Sequence, residues 1–175
     1  MRGWLVLALA LALPLAAWAQ TRDFDGSFKD AARWDELQAQ LPEYPKAENY
    51  LPLRVSATTP FDFFVDAKSV SVGKDGVVRY SLIAKSPDGA LNVSFEGIRC
   101  SERKFRIYAF GRSDNSWSES RSSVWQAMPE DSRNAQRAVL HSEFFCPPGG
   151  IIDTAEEGVR ALKAGRHPRA IYPRF

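Results

Sequence analysis

"VVRYSLIAKSPDGALNVSFEGIRC", residues 77 to 100, reads as two strands and the turn between them, and it decides the class of the fold. The first run is rich in β-branched and aromatic residues, which suit a pleated, half-buried surface. Pro87-Asp88-Gly89 then reverses the chain, because proline presets φ for a turn and glycine accepts positive φ. On the return run Leu91, Val93 and Phe95 alternate with Asn92, Ser94 and Glu96. One face of this strand is therefore core, and the other is wet or covered by polar chain.

Outward from this hairpin the pattern continues as a meander. Upstream, "FDFFVDA" (61–67) and "SVSV" (69–72) are short extended runs, and Gly73-Lys74-Asp75-Gly76 supplies turn chemistry. Downstream, Phe105, Ile107 and Ala109 are expected to project one way, and Lys104, Arg106, Tyr108 and Phe110 the other. Further upstream, prolines at 42, 45, 52 and 60 exclude long helices and leave room for a short edge strand around Leu53 to Ser56.

Helical patterns flank the strands. Residues 27 to 40 offer Ser27 as an N-cap and Asp30 in the first turn. Trp34, Leu37 and Leu41 follow at helical spacing, with Phe28 and Ala31 extending the apolar side. A second helix is expected from Asp131 or Ser132 to about Phe144, with Ala135, Ala138, Val139, Ser142 and Cys146 near one face. Pro147-Pro148-Gly149-Gly150 breaks it. A last helix has Asp153 as N-cap, Glu156 and Glu157 in its first turn, Val159 and Leu162 inward, and Gly165 past its end. The serine-rich connection from Gly111 to Asp131 carries Trp117, Val124, Trp125 and Met128, apolar weight that predicts an ordered excursion. The expected fold is α+β. Its antiparallel sheet has about four to six strands built from residues 52 to 111, with an N-terminal helix and two C-terminal helices beside it.

The start of the chain has the form of a secretory signal. Arg2 precedes an apolar stretch from Leu5 to Ala17, and Ala17-Trp18-Ala19 is a small-x-small cleavage pattern. A signal peptide over 1–19 implies a mature chain from Gln20, with one globular domain over 20–175 and a core of about 25–165. It also implies a periplasmic location with no stable membrane span once the signal is removed. Without Arg2 the chain has 22 basic and 21 acidic side chains, a balance that argues against nucleic acid as a partner.

Two cysteines, Cys100 and Cys146, are all the chain contains, and an oxidising compartment makes a disulfide the first expectation. Neither cysteine belongs to a C-x-x-C motif, and His141 and Cys146 alone are too few to build a zinc site. No metal or other cofactor is expected.

Catalytic constellations are sparse. The two histidines, His141 and His167, read as a surface or capping residue and an exposed loop residue, and no G-x-S-x-G turn is present. Asp62, Asp66, Glu96 and Glu102 lie on or near strands. They define the enzymatic alternative, a carboxylate-dependent envelope hydrolase acting on glycan or peptide, although nothing in their spacing separates them from ordinary surface charges. The stronger pattern is binding-like. Trp117 and Trp125 stand in a polar loop beside strands that carry Arg79, Tyr80, Arg99, Arg106 and Tyr108. Flat rings with neighbouring guanidinium groups stack on sugars or clamp anionic groups, so an envelope protein or a glycan is the expected partner. The plainer alternative makes the tryptophans covers over the sheet, with Arg79 and Arg99 paired to Asp75 or Glu96.

Residues 75 to 100, the "YAFGR" stretch (108–112), the Trp117 and Trp125 loop, and "NAQRAVLHSEFFCP" (134–147) together resemble the cryptic neisserial protein-like family of exported bacterial proteins. The resemblance covers about residues 25 to 165. It implies a periplasmic or envelope protein and brings no catalytic residue with it. Some relatives look like lipoproteins, whereas this chain lacks the cysteine that such attachment requires. The expectation is a noncatalytic interaction or binding domain.

Overall fold

The structure is a computed structural model, and it describes residues 34–55, 59–122, 124–128 and 135–171. The expected signal peptide and the first part of the helix expected over 27 to 40 lie outside these residues. Eight strands form one antiparallel sheet: β1 (Tyr50–Leu53), β2 (Asp62–Asp66), β3 (Ser71–Val72), β4 (Val77–Lys85), β5 (Leu91–Arg99), β6 (Lys104–Gly111), β7 (Trp117–Glu119) and β8 (Gln126–Ala127). Six of them run in the order β1-β2-β4-β5-β6-β7, while β3 pairs with β4 and β8 with β6. The two turns read from sequence close β3 to β4 and β4 to β5, with Gly76 at φ 75° and Gly89 at φ 87°. Pro52 falls in edge strand β1, where proline is tolerated.

Every residue of β4 from Val77 to Ile83 is buried, so both faces of the sheet are covered. On one, the helix face, Val78, Tyr80, Leu82, Ile98 and Phe105 pack with Leu140, Phe144, Phe145, Ile152 and Leu162 in the main core. On the other lie Arg79, Ser81, Phe95 and Gly97, paired across β4 and β5.

Two helices close the helix face. α1 (Ala135–Val139) passes directly into a wider π-type turn, Leu140–Phe145, that ends with the Cys146 N–H donating to the His141 carbonyl at 2.9 Å. The extra residue in that turn re-phases the helix. Its buried residues are Arg137, Leu140, His141, Phe144 and Phe145, not the expected stripe of Ala135, Ala138, Val139 and Ser142. α2 (Ala155–Ala164) is capped by Thr154, whose Oγ1 accepts from the Glu157 N–H at 3.2 Å, one residue after the expected Asp153 cap. Gly165, at φ 78°, ends it. Among the described residues no helix is long and apolar enough to cross a membrane.

Cys100 and Cys146 form the disulfide, their Cα atoms 5.5 Å apart and 46 residues apart in sequence. It joins the end of β5 to the end of the π-type turn. Closing a loop of that length stabilises the fold by about 4 kcal/mol in the chain-entropy model.

The sheet has eight strands over 50 to 127 rather than about four to six over 52 to 111, and two further expectations fail. The helix over 27 to 40 is not supported: residues 34 to 46 run without regular secondary structure. Their polar groups are engaged by the sheet instead, and this strap (34–45) leaves Leu37 and Leu41, the intended apolar stripe, 49% and 41% exposed. In β6, the extra residue Tyr108, opposite the step from Phe95 to Glu96 on β5, bulges and breaks the simple alternation. Phe110 is therefore opposite Ser94, and Ala109 is opposite Phe95, the reverse of the faces expected for both.

Candidate functional site on the strap face

The strap is held by carboxylates and indoles. At its start the Trp34 Nε1–H donates to the Asp75 carbonyl at 2.7 Å, and the Leu37 N–H donates to the Asp75 carboxylate at 3.0 Å. Arg79 completes this corner, donating to both carboxylate oxygens of Asp75 at 2.6 and 3.2 Å and to the Leu37 carbonyl at 2.9 Å. Burial alone would raise the Asp75 carboxyl, but Arg79 and the backbone N–H groups hold it below its ordinary value. These bonds use the Leu37 amide and carbonyl that a helix would have needed.

Glu36 is the second anchor. Its carboxylate accepts from Arg106 Nη1 at 2.6 Å, the Tyr108 hydroxyl at 2.8 Å and Trp125 Nε1 at 3.0 Å. Burial, reinforced by Glu36, raises the Tyr108 hydroxyl above its ordinary value and keeps it a donor. Gly97 makes room for this ring, since a Cβ there would stand 2.7 Å from the Tyr108 hydroxyl. Farther along, Trp117 Nε1 donates to the Pro42 carbonyl at 2.9 Å, and Tyr44 packs on the Trp117 ring. Trp34 meets Trp125 edge-on, and the Arg99 guanidinium lies 3.8 Å from the Trp34 ring centroid. A cleft of about 320 Å³ opens between the strap and the sheet, walled by Gln38, Leu41, Arg106, Tyr108 and Ser120 among others.

Of the expected binding residues, Arg79, Arg106, Tyr108, Trp117 and Trp125 meet the strap. Tyr80 does not. Alternation along β4 puts it on the helix face, fully buried, with its hydroxyl 3.3 Å from Glu96. Sequence reasoning missed Glu36, Trp34 and Tyr44, which complete the cluster. Any signal was obscured by the helical spacing of Trp34, Leu37 and Leu41, which placed Trp34 on a helix and left Glu36 as a surface charge.

The four acids of the enzymatic alternative are dispersed. Glu96 is fully buried on the helix face, where Arg137 donates to both its oxygens at 2.7 and 2.6 Å and the Ser94 hydroxyl donates at 2.6 Å. Burial alone would lower the Arg137 guanidinium, but Glu96 holds it above its ordinary value. Glu102 is paired with Arg99 and Lys104 beyond the end of β5. Asp62 and Asp66 share β2 but stand four residues apart, roughly 13 Å at about 3.3 Å per residue, beyond the reach of a glycosidic pair.

Both histidines are buried, contrary to expectation. His141 lies 3.4 Å from the Cys100 carbonyl, and burial lowers its imidazole below the ordinary value. His167 is 2% exposed: its Nε2 meets Glu157 at 2.9 Å, and its backbone N–H donates to the Glu143 carbonyl. The wide turn at Leu140–Phe145 and the returning tail bury them. Among the described residues no group of three or more His, Cys, Asp or Glu side chains is placed to hold a metal ion.

The CNP1-like family model matches residues 29–163. Cryptic neisserial protein 1 of Neisseria gonorrhoeae is 26% identical over 196 aligned positions, covering 97% of this chain and 96% of that protein. No solved structure matches.

Proposed function

The chain belongs to the CNP1-like family, and from that premise we propose that it is a noncatalytic binding protein of the bacterial cell envelope, exported by the signal over residues 1–19, whose recognition surface is the strap face. The observation that carries this reading is the convergence of three donors, from Arg106, Tyr108 and Trp125, on one carboxylate. A guanidinium, a phenol and an indole N–H aimed at one point make a carboxylate receptor, and Glu36 shows what it grips. The adjoining cleft offers room for the groups that carry such a carboxylate, and the exposed Leu37 and Leu41 offer an apolar rim. The partner class is an acidic protein segment or a carboxylated glycan of the envelope.

Titration of the secreted protein with a glutamate-rich peptide and with a galacturonate oligomer tests this reading. Glu36→Ala empties the receptor and is expected to bind one of these at least ten times more tightly than the wild type does. Arg106→Gln in that background is expected to abolish the gain. Equal, negligible binding by wild type and Glu36→Ala would reject the receptor.

A further inference from the structure

A second cleft on this side of the molecule has in its wall a buried carboxylate that the fold satisfies only in part: Asp66 is hydrogen-bonded by Ser69 and the Lys68 backbone, yet one of its oxygens is left over. Asp66 ends β2 opposite Tyr50 on edge strand β1 and is 3% exposed. Its Oδ1 makes no hydrogen bond. The residue forms part of the wall of a cleft of about 350 Å³, together with Tyr44, Asn49, Lys46 and Lys68.

Buried polar atoms are almost always satisfied, so the orphan Asp66 Oδ1 in the wall of this cleft marks a place where a polar guest belongs. Burial pushes the Asp66 carboxyl above its ordinary range, against the pull of Ser69 and Lys68. A carboxylate in that position gains most from a cationic donor that brings several N–H groups with it. Opposite charge stands in the same cleft. Lys46 and Lys68 are both exposed in its wall, with Glu43 4.0 Å from Lys46 and Lys68 near enough to Asp66 to draw its carboxyl down. The cleft thus carries a buried carboxylate and exposed ammonium groups in one wall.

We propose that this cleft binds a small zwitterion, an amino acid or a short peptide, with its ammonium group on Asp66 and its carboxylate toward Lys68 and Lys46. The site is separate from the carboxylate receptor: Glu36, Arg106 and Trp125 do not wall it. The aromatic surround of Tyr44 suits an ammonium ligand further, since a cation is attracted to a ring face.

Dialanine tests the polarity of the site, compared with N-acetyl-dialanine, which lacks the ammonium group, and dialanine amide, which lacks the carboxylate. Backbone amide shifts of the ¹⁵N-labelled full mature chain are followed during each titration. Dialanine is expected to give saturable shifts at Asn49, Asp66 and Lys68. Acetylation is expected to weaken binding at least tenfold, and amidation a few-fold. Asp66→Asn is expected to match the loss on acetylation, and the surface change Lys68→Gln to match the loss on amidation. The acetylation arm uses the unaltered protein, so misfolding of Asp66→Asn leaves the test intact. No saturable shift with dialanine, or equal binding of its acetylated form, would overturn the proposal.

Discussion

The two faces of the sheet are covered by different means. On the helix face an apolar core, a disulfide and a buried ion pair bind β4, β5 and β6 to α1, the π-type turn and α2. On the strap face a segment without regular secondary structure is held by hydrogen bonds to Glu36, Asp75 and the Pro42 carbonyl. The first covering is built from groups that have nowhere else to go: Glu96 is fully shielded, and Arg137 and Phe105 stack beneath the helix. The second is built from polar groups, of which the Asp75–Arg79 pair is buried and the Glu36–Arg106 pair is partly open to solvent.

This asymmetry makes graded predictions. Glu96→Ala leaves the Arg137 guanidinium without its bidentate partner inside the helix face, and is expected to cost about 3–5 kcal/mol in denaturant unfolding. Glu36→Ala removes an acceptor from three donors but exposes them to solvent, and is expected to cost a smaller ~1–3 kcal/mol. If the two losses are equal, the strap is as integral as the helix layer and the contrast between the faces disappears.

The smallest effect concerns acid stability. The Asp153 N–H, followed by His167 and Arg169, holds the Glu157 carboxyl down at about 2, below its ordinary 4.5. Because the folded value is the lower one, the stabilisation is complete above the unfolded value and is lost as pH falls through about 2. Glu157→Gln is therefore expected to be less stable than wild type at neutral pH. The difference should shrink between about pH 4.5 and pH 2, as measured by unfolding midpoints across that window.

The hairpins of the sheet were legible in the chain, but not their facing: Leu91, Val93 and Phe95 were expected to face the core, and it is Glu96 that faces the helices while Phe95 lies on the strap face. The alternation in Leu91–Arg99, the turn residues Gly76 and Gly89, and a chain with only two cysteines led directly to the hairpins and the disulfide. The strap was not legible, because Trp34, Leu37 and Leu41 satisfy a helical period locally. What defeats the helix is the Asp75–Arg79 pair, which takes the Leu37 amide and carbonyl from some forty residues away. Five of six expected binding residues reached the strap face, and Tyr80 did not. Its aromatic and polar character was visible, but the burial of both faces of β4 hid which one it would occupy.

The sequence by itself determined the antiparallel meander, its turns, the last helix and the pairing of its two cysteines. Each depends on backbone preferences over a few residues or on there being one possible partner. Only the tertiary structure decided that Glu36 fills a three-donor receptor, that Glu96 is locked to Arg137, and that a bulge turns Phe110 to the other face. Asp66 likewise became a buried orphan only there. Those outcomes depend on which groups distant in the chain meet in space, where desolvation makes each polar atom's partner decisive, and a periodic pattern along one strand carries no record of that partner.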